Sequence, residues 1–167
     1  MGSERRLLLH CDAYHMGQIM RAIKKIIVHC SASKFGDSAA IDRWHKERGW
    51  QGIGYHYVIL NGERIARAHY NGAEDGELEA GRDEGTVGAH CLGHNADSLG
   101  ICLIGDKIFT PAQLRTLGEL IIALMKKYVL SPKDVYGHYE FEPYKTCPNL
   151  NMNAVRTALT EPEEPFV

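Results

Sequence analysis

Residues 110–128 constrain this chain more than any other stretch. Thr110-Pro111-Ala112-Gln113 puts a hydroxyl at an N-cap, a proline where a missing N–H costs nothing, and a glutamine able to reach back to the cap, so a helix starts here. Leu114, Leu117, Leu120, Ile121, Leu124 and Tyr128 then recur at intervals of three and four, laying an apolar stripe along it. Such a stripe must be buried, and β-branched runs elsewhere in the chain supply a surface. Lys25-Ile26-Ile27-Val28-His29-Cys30 reads as a buried strand, and Leu99 to Ile104 as another, in which Gly100 marks a close approach of the backbone. Tyr55 to Leu60, the Asn61-Gly62 pair and Arg64 to Ala68 read as two antiparallel strands around a tight turn. Val135-Tyr136-Gly137-His138 is a short strand ending. Helices are expected over Ser38 to Arg48, stopped by Gly49, and over Asn151 to Leu159. Strands and helices mix without regular βαβ alternation, so the class is α/β: one domain with a central mixed sheet flanked by helices.

At 167 residues the chain is long enough to bury one substantial core. Residues 1–22 read as an N-terminal extension, in which Met1-Gly2-Ser3 has the look of an engineered leader; residues 23–160 form the domain, and residues 161–167, acidic and broken by two prolines, a solvated tail. The formal net charge of -2 provides no global positive field, so neither DNA nor RNA is an expected partner. The longest apolar runs, Ile26 to Val28 and Leu120 to Met125, fall far short of the roughly 20 residues of a membrane-spanning helix, so no membrane insertion is expected. The N-terminus is basic but lacks the apolar run of a secretory signal, which points to the cytoplasm. Five cysteines, odd in number and irregularly spaced, argue for free thiols or a metal ligand.

Histidine and cysteine carry the chemistry. His29 at the end of an early strand, His138 after a late one and Cys147 in a proline-marked loop would together make a three-ligand, borderline-soft zinc site with a fourth position open. By spacing alone the signal is weak, because no CxxC or HExxH pattern brings two of them together. Taken singly, each is as well read as a hydrogen-bonded core histidine or a small buried thiol. Cys30 alternates away from His29 along the strand and reads as a core thiol. Trp44 fits the buried face of the first helix, whereas Trp50 and Phe35 offer apolar surface to sugars.

Successive motifs add to this. Val28-His29-Cys30-Ser31-Ala32-Ser33, Trp44 to Trp50, Gly54-Tyr55-His56-Tyr57, Glu79 to Glu84, Val87-Gly88-Ala89-His90, Asn95 with Ser98 to Gly105, Thr110 to Gln113, Gly137-His138 and Lys145-Thr146-Cys147-Pro148 follow one another over residues 25–155. In that order they resemble the type 2 N-acetylmuramoyl-L-alanine amidases, a family that includes short-tailed phage endolysins and animal peptidoglycan recognition proteins. The phage endolysins are the nearer likeness. Residues 1–22 match nothing in the pattern, and His69 to Asp75 are extra relative to the phage enzymes.

The resemblance implies hydrolysis of the amide between the lactyl group of N-acetylmuramic acid and L-alanine in peptidoglycan. It implies one zinc ion on His29, His138 and Cys147, with Tyr55 and Lys145 as catalytic helpers. Zinc lowers the pKa of water and polarises a carbonyl, and an ammonium such as that of Lys145 steadies the developing oxyanion. No carboxylate stands out as a general base. His90 and Asn95, in a glycine-rich loop, are offered as substrate-binding residues; His45 and His56 are expected in supporting roles. The expected partner is peptidoglycan or a muropeptide, reached through a holin or on lysis. The alternatives are a non-catalytic peptidoglycan-binding module, against which the presence of Cys147 argues, a cytosolic amidase recycling soluble muropeptides, and an amidase that also inhibits a phage RNA polymerase.

Overall fold

The structure, a computed structural model, describes residues 21–66 and 69–160; the expectations for residues 1–20 and for the acidic tail at 161–167 lie outside the described residues. Among the described residues, five strands form a single sheet: β1 (Lys25–Cys30), β2 (Tyr57–Glu63), β3 (Tyr70–Ala80), β4 (Ser98–Leu103) and β5 (Val135–Gly137), in the order β3-β2-β4-β1-β5. β1 runs parallel to β4 and β5, β2 runs parallel to β4, and only β2 and β3 are antiparallel. The sheet is therefore mixed, with its parallel strands at the centre. β1 and β4 are buried almost throughout, which is why both read as continuous apolar runs.

Among the described residues, three α-helices complete the fold: α1 (Ser38–Glu47), α2 (Pro111–Tyr128) and α3 (Met152–Ala158). α2 starts as expected, with the Thr110 hydroxyl accepting from Gln113 N–H at 3.0 Å and Gln113 Oε1 accepting from Thr110 N–H at 3.1 Å. Its stripe of Leu117, Leu120, Ile121 and Leu124 packs on Ile26, Val28, Ile59, Leu99, Ile101, Leu103 and Val135. Leu114 remains largely exposed. Gln113 is fully buried and ties the helix to the sheet, its amide donating to Ile59 O at 3.1 Å and Ile104 O at 2.8 Å. The alternate residues of the strands, Val58, Leu60, Cys102 and Ile104, face the other way and pack with Ile41 of α1, against Trp44, Ile53 and Tyr55. α1 is capped by the Asp37 carboxylate, which accepts from Ala40 N–H at 2.7 Å.

The hairpin departs from expectation. Asn61-Gly62 lies inside β2 rather than at its turn, and the first strand continues to Glu63. Glu63 pairs with Tyr70 and Asn61 with Asp75, so a single β2 residue between those pairs faces four of β3, a bulge. Gly62 adopts φ 78°, and a Cβ there would stand 2.7 Å from both Asn71 O and the Tyr70 ring. The signal that marks a two-residue turn thus marks the bulge that accommodates the four β3 residues between Tyr70 and Asp75. β3 is an edge strand, and Glu74, Glu77 and Glu79 gather around Arg64, which also meets Asp37.

Candidate active site

β1 and β5 end side by side, and two of the three expected ligands leave from those ends. His29, the penultimate residue of β1, is fully buried on the α1 side of the sheet, with its ring 5.1 Å from that of Tyr55. His138 follows β5 directly and packs its ring 4.6 Å from His29. Cys147 comes in from the loop ahead of α3: its carbonyl accepts from Tyr139 N–H at 2.9 Å, and its Sγ accepts from Cys30 N–H at 3.2 Å. Ligand atoms of His29, His138 and Cys147 lie within 4.8 Å of one another. Donors on one tetrahedral zinc stand about 3.3 to 3.6 Å apart at ordinary bond lengths, and His29 Nδ1 is 3.9 Å from Cys147 Sγ. Two imidazoles and a thiol so gathered fit a borderline-soft divalent ion.

Hydrogen bonds behind the rings fix which nitrogen faces this space. Ser98 Oγ donates to His94 O at 2.7 Å, so it is free to accept from His90 Nε2 at 3.4 Å. His90 Nδ1 then carries a lone pair and accepts from His29 Nε2–H at 3.0 Å. That leaves the lone pair of His29 on Nδ1, toward Cys147. The chain of bonds holds because the rings stay neutral: burial drives His29 well below its ordinary pKa, helped by the nearby His90 and His138, and burial lowers His90 to about 3. His138 is oriented likewise, its Nε2–H donating to Glu142 Oε1 at 2.9 Å.

A cleft of about 540 Å³ opens over these groups, lined among others by Tyr55, Arg48, Trp50 and Lys145. Tyr55 sits in the segment before β2, and burial pushes its hydroxyl well above the ordinary phenol range, so it stays a proton donor. Lys145 is half exposed, with Nζ 3.7 Å from Glu142 Oε2. Cys30, expected to be a core thiol, is buried but meets the Cys147 thiol, because the Cys147 loop crosses the end of β1 where the pleat no longer separates neighbouring side chains. The two thiols interact: a hydrogen bond from Cys147 lowers the Cys30 thiol, and the same bond together with burial raises that of Cys147.

Residues 19–150 match the family described as N-acetylmuramoyl-L-alanine amidase. The chain belongs to this amidase family. It is similar to the endolysin of Escherichia phage T7, 38% identical over 138 residues that cover 76% of this chain and 81% of that one. It is also similar in structure to the N-acetylmuramoyl-L-alanine amidase LysC of Clostridium intestinale, with a TM-score of 0.68, 30% identity and coverage of 83% and 85% of the two chains. Drosophila PGRP-LB, at 24% identity and a TM-score of 0.62 over 83% of this chain and 81% of its own, shares the fold.

His90 and Asn95, offered by the sequence as substrate-binding residues, both line the cleft, and both also bond within the protein. The His90 ring bonds to His29, and Asn95 Oδ1 accepts from the N–H groups of His90 and Cys91 at 2.8 and 2.9 Å. His90 reaches inward because Gly100 and Gly88 leave it room; a Cβ on either would stand within 2.6 Å of its ring. His45 Nδ1 accepts from Gly54 N–H and His56 Nδ1 from Gly100 N–H, both as supports. Glu142 escaped the sequence reading, although its place four residues after His138 and three before Lys145 was a usable signal. Arg21 also escaped it: its guanidinium donates to Glu84 O at 2.7 Å and Ser98 O at 3.0 Å, beside His56. No local pattern marks it.

Proposed function

We propose that His29, His138 and Cys147 hold one zinc ion and that this chain, an amidase by family, uses it to hydrolyse the amide between the lactyl group of N-acetylmuramic acid and L-alanine in peptidoglycan, as a phage endolysin does. The observation that carries the reading is the meeting of two imidazoles, each held by a hydrogen bond on its other nitrogen, and a thiol within 4.8 Å of one another, with His138 and Cys147 lining an open cleft. When bound, zinc supplies Lewis acidity toward water and toward an amide carbonyl.

The chain's own residues do the rest. His90 and Glu142 each hold a proton on the outward nitrogen of a ligand imidazole, keeping the other nitrogen's lone pair aimed inward. Tyr55, a neutral phenol in a buried wall, donates a hydrogen bond to the oxygen that gains charge as the carbonyl is attacked. Lys145 is tethered beside Glu142 and swings its ammonium over the same oxygen, and its proton is available to the departing amine. Trp50 offers a half-exposed aromatic face at the rim to a sugar or lactyl group.

No helix of the described residues is long and apolar enough to cross a membrane, and we take access to the wall to require a holin or lysis. The decisive experiment digests purified sacculi with metal-loaded protein, chelated protein and Cys147→Ala, scoring new amino termini and new reducing ends. Amino termini alone, lost on chelation and in the variant, support the reading. Reducing ends would make the enzyme a glycosidase, and no release by loaded protein would make it a binding module.

A further inference from the structure

A second metal-capable grouping lies beside the first and shares one residue with it. Ligand atoms of Cys91, His138 and Glu142 also fall within 4.8 Å of one another, and all three residues line the cleft. Glu142 Oε1 is already 2.9 Å from His138 Nε2. Cys91 is held in place from both sides of its peptide, its N–H donating to Asn95 Oδ1 at 2.9 Å and its carbonyl accepting from His94 N–H at 3.0 Å. Its side chain is almost wholly covered by protein, it joins neither of the two apolar clusters of the described residues, and the chemistry proposed above does not use its thiol. Burial, with the Glu142 carboxylate nearby, pushes that thiol up to about 11, so it is protonated unless an ion displaces the proton.

We propose that Cys91, Glu142 and His138 form a second, inhibitory site for a borderline or soft divalent cation, Zn²⁺ or Cd²⁺, filled when that cation is in excess. Thiolate, carboxylate and imidazole are the donor types such ions take. The inference rests on the zinc reading of His29, His138 and Cys147. A neutral imidazole carries one lone pair, so His138 serves one ion at a time. While Glu142 accepts from Nε2–H, the lone pair on Nδ1 belongs to the first site. An ion arriving at Cys91 and Glu142 takes the Nε2 lone pair instead: the imidazole proton passes from Nε2 to Nδ1, the Cys91 proton leaves to solvent, and Glu142 exchanges a hydrogen bond for a coordinate bond. The first ion is left with His29 and Cys147, and its orienting carboxylate is gone. Excess metal then inhibits through one defined thiol.

The test is a Cd²⁺ titration of metal-free protein followed by the ultraviolet thiolate-to-cadmium band, in a Cys11→Ser, Cys30→Ser background so that neither of these thiols adds signal. The parent is expected to show two steps, Cys91→Ser only the first, and Cys147→Ala only the second. In parallel, inhibition of sacculus digestion by excess zinc shifts at least tenfold higher in Cys91→Ser, with activity at one equivalent unchanged. Cys91→Ala repeats the test if the serine variant melts early. If one step depends on Cys147 but none on Cys91, this inference falls and the zinc reading stands. If no step depends on Cys147, the zinc reading falls and takes this inference with it.

Discussion

Gly100→Ala puts the smallest possible side chain into the most crowded point beneath the site. A methyl there would stand 2.6 Å from Cγ and Cδ2 of His90 and 2.9 Å from its Nδ1. Carbon atoms in ordinary contact stay about 3.5 to 4.0 Å apart, so the ring must retreat by about 1 Å. The backbone at Gly88 also crowds that ring, and its amide anchor is Asn95 Oδ1, so the retreat is not free. Overpacking of this kind costs about 1 to 3 kcal/mol, which in a domain of this size lowers Tm by roughly 3 to 10 °C. The displaced ring also gives up His29 Nε2, bonded at 3.0 Å. Losing the partner that orients a metal-binding imidazole weakens metal affinity about 10- to 100-fold. Differential scanning calorimetry reads the first effect, and competition against a chromogenic chelator reads the second. The double variant Gly100→Ala with His90→Ala removes the clash but not the loss of orientation, so its stability effects are less than additive while zinc affinity stays low. A Gly100→Ala protein that melts with the parent and binds zinc as tightly would refute the account of His90.

Three further outcomes follow from the same geometry. Gln113→Leu strands the buried Ile104 O, leaves Ile59 O with only its bond from Ile104 N–H, and unpairs Thr110 N–H; urea unfolding should record a loss of about 2 kcal/mol, with activity per folded molecule unchanged, and a loss under about 1 kcal/mol would contradict the role given to this residue. Tyr55→Phe keeps the ring against His29 and removes only the hydroxyl, so kcat should drop about 100- to 1000-fold with zinc affinity intact; unchanged kcat would remove Tyr55 from the chemistry. His56 is lowered to about 4 by burial, against an ordinary value near 6.5. Between those values the unfolded chain binds the proton and the folded one does not. The stability that neutral His56 contributes is therefore complete above pH 6.5 and lost as pH falls toward 4, a decline of about 3 kcal/mol. Buried His90 extends the decline in the same direction. Denaturation midpoints that stay level from pH 7 to pH 4.5 would contradict this.

The sequence by itself determined whatever depends on neighbours along the chain. The capping box and stripe of α2, the Asp37-capped α1, the buried β1 and β4 and the mixed α/β class are all local or periodic signals, and all are present. Even the oddity of Gly100 was readable, because a glycine inside an apolar strand has few reasons other than crowding. The grouping of His29, His138 and Cys147 was readable only through a resemblance, since residues 118 positions apart carry no spacing rule. What tertiary structure alone decided is orientation. The parallel pairing of β1 with β5 brings His29 and His138 together, and the Cys147 loop then crosses the end of β1 to meet Cys30. The same packing turns the His90 ring onto His29 and sets Glu142 behind His138. It also moved the Asn61-Gly62 signal from a turn to a bulge, because the glycine's positive φ serves either, and the pairing of β3 chose between them. A side chain's type is written in the sequence, but the direction in which its lone pair points is set by groups far away along the chain.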